Sequence, residues 1–106
     1  MREREHLAPV FAALGDATRM HVVARLSAEG PLSITKLAEG TDVTRQAVTK
    51  HLQVLAGAGL VTGARAGREN VWTLERWGLD DARHALDGIS REWDATLGRM
   101  KAYVES

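Results

Sequence analysis

Residues Thr44–Arg68 read TRQAVTKHLQVLAGAGLVTGARAGR, and this stretch decides the fold. Val48, Leu52 and Leu55 recur at helical spacing behind Val43-Thr44, a staple residue and an N-cap. Gly57 and Gly59 then close the helix, and the period changes from helix to strand. Leu60-Val61-Thr62 and Val71-Trp72-Thr73-Leu74 read as two short strands, with Ala66-Gly67-Arg68-Glu69 near the turn. The turn is not Asn-Gly, which predicts a loop longer than two residues. A lone two-stranded hairpin is marginal, so this one must lean on helices. The window also carries four basic residues (Arg45, Lys50, Arg65, Arg68) and no acidic one. The chain has 14 basic and 14 acidic residues, so 14 − 4 = 10 basic face 14 acidic outside the window. A surface that lies against phosphates needs this exclusion of carboxylates.

Upstream of this stretch, Leu7, Val10, Phe11 and Leu14 predict a short first helix, about residues 6–14, ended by Gly15. Asp16 is placed to cap a second helix lined by Met20, Val23 and Leu26, which stops before Gly30-Pro31. Ser33 is a plausible N-cap for a short third helix with Ile34, Leu37 and Ala38, ending at Gly40. Downstream, Leu79, Ala82, Leu86, Ile89, Trp93, Leu97, Met100 and Val104 step by threes and fours along a helix over about 79–104. That stripe is narrow, as at a seam between helices, and predicts an interface through Leu86, Ile89, Trp93, Leu97 and Met100.

The predicted order is therefore α-α-α-α-β-β-α: a mainly α chain with a small β-hairpin. The third and fourth helices form a helix-turn-helix over about 33–58, and the hairpin supplies a wing over about 60–74. At 106 residues, the whole chain 1–106 fits a single domain. A domain this small gains core by dimerising. Cysteine is absent, which removes disulfides, thiolate metal sites and thiol redox sensing. No apolar run reaches bilayer length, and the opening MREREHLAPVF lacks an apolar signal core, so a cytoplasmic protein with no membrane partner is expected. No nucleophile and base stand at suggestive spacing and no glycine-rich phosphate loop follows a strand, so no enzyme is expected.

On a helical wheel with Val48, Leu52 and Leu55 inward, Gln46, Thr49, Lys50 and Gln53 face outward, and Arg45 and His51 take the flanks. No outward position before Ala56 is acidic or bulky and apolar, so the helix suits a major groove. Gln suits adenine, Lys and Arg suit guanine or phosphate, and Thr suits a thymine methyl or phosphate. The candidate DNA contacts are Thr44, Arg45, Gln46, Thr49, Lys50, His51 and Gln53, with Arg65 and Arg68 on the wing. His51 is assigned equally to packing or to a phosphate. Arg68 either reaches flanking DNA or pairs with Glu69 in a solvated turn. A winged helix that binds protein instead of DNA is the competing class, disfavoured by the missing acids.

Three motifs in order resemble the ArsR-type winged-helix repressors. Leu14-Gly15-Asp16-Ala17-Thr18-Arg19 is similar to the LxDxTR signature that opens that family's second helix. Val43 through Leu55, continuing to Ala58-Gly59-Leu60-Val61, resembles the recognition helix and its HLxxLxxAGLV exit. Gly67-Arg68-Glu69 with Val71-Trp72 and Leu74 resembles the wing pattern GRxxxYxL, with Trp in the aromatic place. The match spans about residues 7–104. It implies a homodimer held by the first and last helices, which adds Leu7 and Val10 to the interface, and a repressor released from a palindromic operator on double-stranded DNA by a signal. The positions matching that family's DNA contacts are Arg45, Gln46, Thr49 and Lys50.

Many such proteins sense metals, but their ligand motifs are missing. Thr35-Lys36-Leu37-Ala38 stands where the third-helix cysteine pair would be. On the last helix only His84 matches, with Ala82 two residues before it and Ala95 eleven after. His6 and His21 have no matching spacing. No cofactor and no metal site are therefore expected, with metal sensing through a non-standard site as an alternative. A small-molecule or protein effector stays open. Trp93 is expected to anchor the dimer, and Trp77 to pack under the wing or line a pocket near the interface.

Overall fold

The computed structural model describes residues 7–105. His6 and the predicted start of the first helix lie outside them. Helix α1 (Leu7–Leu14) and helix α2 (Ala17–Glu29) precede a two-residue strand β1 (Leu32–Ser33). Helix α3 (Ile34–Glu39), helix α4 (Arg45–Gly57), strands β2 (Val61–Ala66) and β3 (Glu69–Leu74), and helix α5 (Arg76–Glu105) follow. No described helix is long and apolar enough to cross a membrane.

Local chemistry sets the helix starts. The Asp16 carboxylate accepts from the Arg19 backbone N–H at 3.0 Å, the Ser33 hydroxyl from Lys36 N–H at 3.2 Å, and the Thr44 hydroxyl from Ala47 N–H at 3.1 Å. Each satisfies a donor that has no partner within its helix.

The core gathers Val10 and Ala13 of α1, Val22, Val23 and Leu26 of α2, Leu37 of α3, Val48, Leu52 and Leu55 of α4, then Leu60, Val61 and Ala82. Leu37, Leu52, Leu55 and Leu60 have no exposed surface, and burying each stabilises by about 1.5–3 kcal/mol. Two expectations change here. Met20 is half-exposed, and Val22 takes its place on the inner face of α2. Val10, expected at the dimer seam, is 0% exposed inside the protomer core and has no surface to offer a partner.

The sheet is three-stranded and antiparallel in the order β1-β3-β2. The hairpin was expected to have two strands and a longer loop. Instead Leu32 and Ser33 pair with Trp72 and Val71, and β2 pairs with β3 as far as Ala66↔Glu69. That leaves Gly67-Arg68 as a two-residue loop. Gly67 has φ +64° and no described non-glycine residue has positive φ, the pattern of a type II′ turn. Glycine-first turns of this kind need no Asn-Gly.

Helix α5 starts three residues before the expected 79. Its 30 residues rise about 45 Å and stretch the molecule to 67 × 30 × 20 Å. The only buried residues along it are Gly78 and Ala82. Gly59 (φ +79°) and Gly78 meet where α5 crosses the exit of α4, and a Cβ on Gly59 would fall inside the Trp77 ring. Trp77 therefore packs on the junction of α4 and β2 while remaining half-exposed.

Candidate nucleic-acid interface

Helices α3 and α4, joined through residues 40–44, form the helix-turn-helix. Arg25 of α2 fixes its first helix: the guanidinium donates to the carbonyls of Lys36 (2.9 Å) and Leu37 (3.1 Å), at the carboxyl end of α3, and pairs with Glu29 at 2.9 Å. That guanidinium holds the Glu29 carboxyl below the usual range through the hydrogen bond. A Cβ on Gly40 would collide with the same guanidinium. The turn thus carries glycine to let Arg25 reach the α3 carbonyls.

On α4, Val48, Leu52 and Leu55 are buried, whereas Thr44, Arg45, Gln46, Lys50 and Gln53 are exposed. Thr49 is half-buried and its hydroxyl donates to the Arg45 carbonyl at 2.9 Å. With its proton engaged there, the Thr49 hydroxyl is not a free donor, and the residue keeps its methyl group for other contacts. One part of the expected face does not hold. Val54 is 47% exposed, a bulky apolar residue on the flank of the helix before Ala56.

His51 lies off the exposed α4 face that carries Gln46, Lys50 and Gln53. Its side chain is 22% exposed, its Nδ1 is 3.3 Å from Arg19 Nη1 and 3.8 Å from the Asp16 carboxylate. Of the two roles left open, packing is the one the geometry favours. Arg19 also donates from Nε to the Ala13 carbonyl at 2.7 Å and from Nη2 to Ala12 at 3.4 Å. One arginine therefore covers the carboxyl end of α1, where the helix dipole favours a cation, and reaches the recognition helix. The Arg19 N–H that Asp16 accepts, aided by the charges of Arg19 and His51, holds the Asp16 carboxyl below its usual range. This accounts physically for Asp and Arg in the Asp16–Arg19 motif.

On the wing, Arg65 and Arg68 are both exposed. Arg65 Nε donates to the Gly67 carbonyl at 3.4 Å. Arg68 forms no ion pair with Glu69. Instead Arg68 and Arg45 border one depression of about 120 Å³ with Ser33, Thr35, Glu69 and Asn70. The wing tip and the start of the recognition helix thus share a small polar hollow with two guanidiniums at its rim. Sequence reasoning missed Ser33, Thr35 and Asn70 as members of this face, since only β1–β3 pairing brings α3 beside the wing. At the wing's root, Thr62 donates to the Glu75 carboxylate at 2.6 Å and the Glu75 N–H to the Leu60 carbonyl at 2.8 Å, joining β2 to the start of α5.

The seam residues Leu86, Ile89, Trp93, Leu97 and Met100 are all exposed, Trp93 by 58%. Leu7 borders a cleft of about 520 Å³ with Phe11, His84, Ala85, Gly88, Ile89 and Glu92, between α1 and α5. Among the described residues, no three of His, Cys, Asp and Glu stand together so as to hold a metal ion.

A polar, acid-free helix presented by a helix-turn-helix beside a basic hairpin defines a winged helix-turn-helix DNA-binding protein. Residues 14–64 match the family model described as a helix-turn-helix domain. The chain is 40% identical over 96 residues to the HTH-type transcriptional regulator Rv2034 of Mycobacterium tuberculosis, covering 91% of this chain and 86% of that one. It is 31% identical over 96 residues to the arsenic resistance transcriptional regulator ArsR1 of Pseudomonas putida, covering 85% and 74%. An ArsR-like transcriptional regulator from Rhodococcus sp. RHA1 superposes with a TM-score of 0.80 at 36% identity, over 95% of this chain and 94% of that one. The chain belongs to the ArsR family of DNA-binding transcriptional regulators.

Proposed function

We propose that the chain is a homodimeric repressor that reads a roughly palindromic operator through Arg45, Gln46, Thr49, Lys50 and Gln53, with Thr44 at the helix start and Arg65 and Arg68 on flanking phosphates. The observation that carries this is the exposed α4 face, where Arg45, Gln46, Lys50 and Gln53 stand together with no carboxylate on the helix. Pairing rests on α5. Leu86, Ile89, Trp93, Leu97 and Met100 form an apolar stripe that none of the described residues covers, and a second α5 is the complementary surface. Leu7 and Phe11 add to that face beside Ile89. In the dimer, the two α4 helices would stand about 34 Å apart and enter successive major grooves of one duplex face.

With no cysteine in the chain, release of the operator proceeds without thiolate chemistry. An effector must bind the DNA-competent and DNA-free dimers unequally to act at all. The test is charge reversal. An Arg45→Glu/Lys50→Glu chain that stays folded and dimeric is expected to lose duplex binding. Unchanged binding contradicts the proposed face and favours a module that recognises protein.

A further inference from the structure

A second cleft, of about 700 Å³, is lined by a different face of α5 from the one that lines the α1–α5 cleft. Leu26 and Ser27 of α2, Pro31, Thr73 and Leu74 at the end of β3, and Arg76, Leu79, Asp80 and Arg83 of α5 line it. Its volume lies within the roughly 300–1,000 Å³ usual for small-molecule sites. Its floor is aliphatic, because Leu26 belongs to the core and Leu74 and Leu79 pack against it. Its rim carries two guanidiniums. Arg76 makes no ion pair or side-chain hydrogen bond among the described residues. Arg83 has only a 3.9 Å approach to Asp87, between two exposed side chains, a pair of little energetic weight. Both are therefore available to a ligand.

We infer that this cleft binds an organic monoanion: a carboxylate held by Arg76 and Arg83, with an aliphatic body lying over Leu26, Leu74 and Leu79. Guanidinium forks match a carboxylate in geometry and charge. Asp80 reduces the charge of the rim from +2 to +1, which suits a monoanion and opposes a phosphate dianion. The charged rim of the cleft also lies off the proposed dimer seam. At about 100° per residue, Arg76, Asp80 and Arg83 stand about a quarter turn or more around α5 from the stripe through Leu86, Ile89 and Trp93, while Leu79 borders that stripe. A bound ligand would touch the wing's root through Thr73 and Leu74 and the dimer helix through Leu79, two elements whose relative position sets the spacing of the reading heads.

The test is isothermal titration of the full chain, without DNA, with decanoate and with decyltrimethylammonium as a cationic counterpart of equal chain length. Binding without DNA keeps this inference separate from the operator reading. Saturable decanoate binding of one per protomer is expected, with none for the cation. Arg76→Ala/Arg83→Ala is expected to weaken it by about tenfold or more. Ser27→Trp, an exposed position on the cleft wall, is expected to block it sterically with the charges intact, and circular dichroism verifies that both variants are folded. Absence of saturable decanoate binding overturns the inference. So does decanoate binding that neither variant weakens, because the ligand then sits on the α5 stripe.

Discussion

Replacing Arg19 by alanine tests the packing account most sharply, because the residue belongs to a motif that could be mistaken for functional machinery. The loss comprises a 2.7 Å bond to the Ala13 carbonyl, a 3.4 Å bond to Ala12 and a 3.3 Å approach to His51. A hydrogen bond from a charged donor contributes about 1.5–3 kcal/mol, and the two longer contacts add little. Ala13 is only 2% exposed, so its carbonyl is poorly placed to recover a partner from water. The expected cost is about 2–3 kcal/mol. For a domain of this size that lowers Tm by about 8–15 °C at fixed protomer concentration. Arg19→Lys should recover less than half, since one ammonium cannot span two carbonyls and the imidazole. Urea unfolding should show a lower midpoint with unchanged slope. A double-mutant cycle with His51→Ala should give a coupling of about 0.5 kcal/mol or more. The reasoning is refuted if Arg19→Ala costs less than about 0.5 kcal/mol. It is equally refuted if His51→Ala weakens duplex binding while leaving Tm unchanged.

Gly59→Val should destabilise by about 2–4 kcal/mol, because it combines a backbone at φ +79° with a side chain driven into Trp77; chemical denaturation reads this directly. Trp93→Ala should weaken dimerisation by about 30-fold or more in sedimentation equilibrium, as expected of an aromatic interface anchor; an unchanged dimer at low concentration removes α5 as the interface. Acid should destabilise the fold through Asp16 and Glu29. Both are held below their unfolded values of 3.8 and 4.5, so their contribution is present above those values and is lost as pH falls through the lower folded ones. Asp16→Asn should therefore flatten the stability profile below about pH 4, read by thermal melts across pH.

Much of the fold was legible because its signals are local. Asp16, Ser33 and Thr44 announce helix starts by a hydroxyl or carboxylate that reaches three residues ahead, and Val48, Leu52 and Leu55 announce a buried face by spacing alone. Strand β1 was not legible: two residues after Pro31 carry no period, and only pairing with Val71 and Trp72 makes them a strand. Met20 and Val22 are both apolar and near the inner face of α2, and only the tertiary packing separates them. The Arg19–His51 contact joins residues 32 apart in sequence, so no spacing rule predicts it, and it moves His51 away from the candidate DNA face. The hollow shared by Arg45, Arg68 and Asn70 likewise depends on sheet order.

The most direct measurement is fluorescence anisotropy of the full chain against duplex DNA from upstream of its own gene and against a scrambled duplex, over a salt titration. Arg45, Lys50, Arg65 and Arg68 give four cations per protomer, hence eight in a dimer, and a slope of log affinity against log salt as steep as about −7 if all meet phosphates. Tight binding selective for the upstream duplex is expected, with a steep slope that becomes shallower in Arg65→Ala/Arg68→Ala. Weak binding, equal on both duplexes and unaffected by those substitutions, would contradict the operator reading.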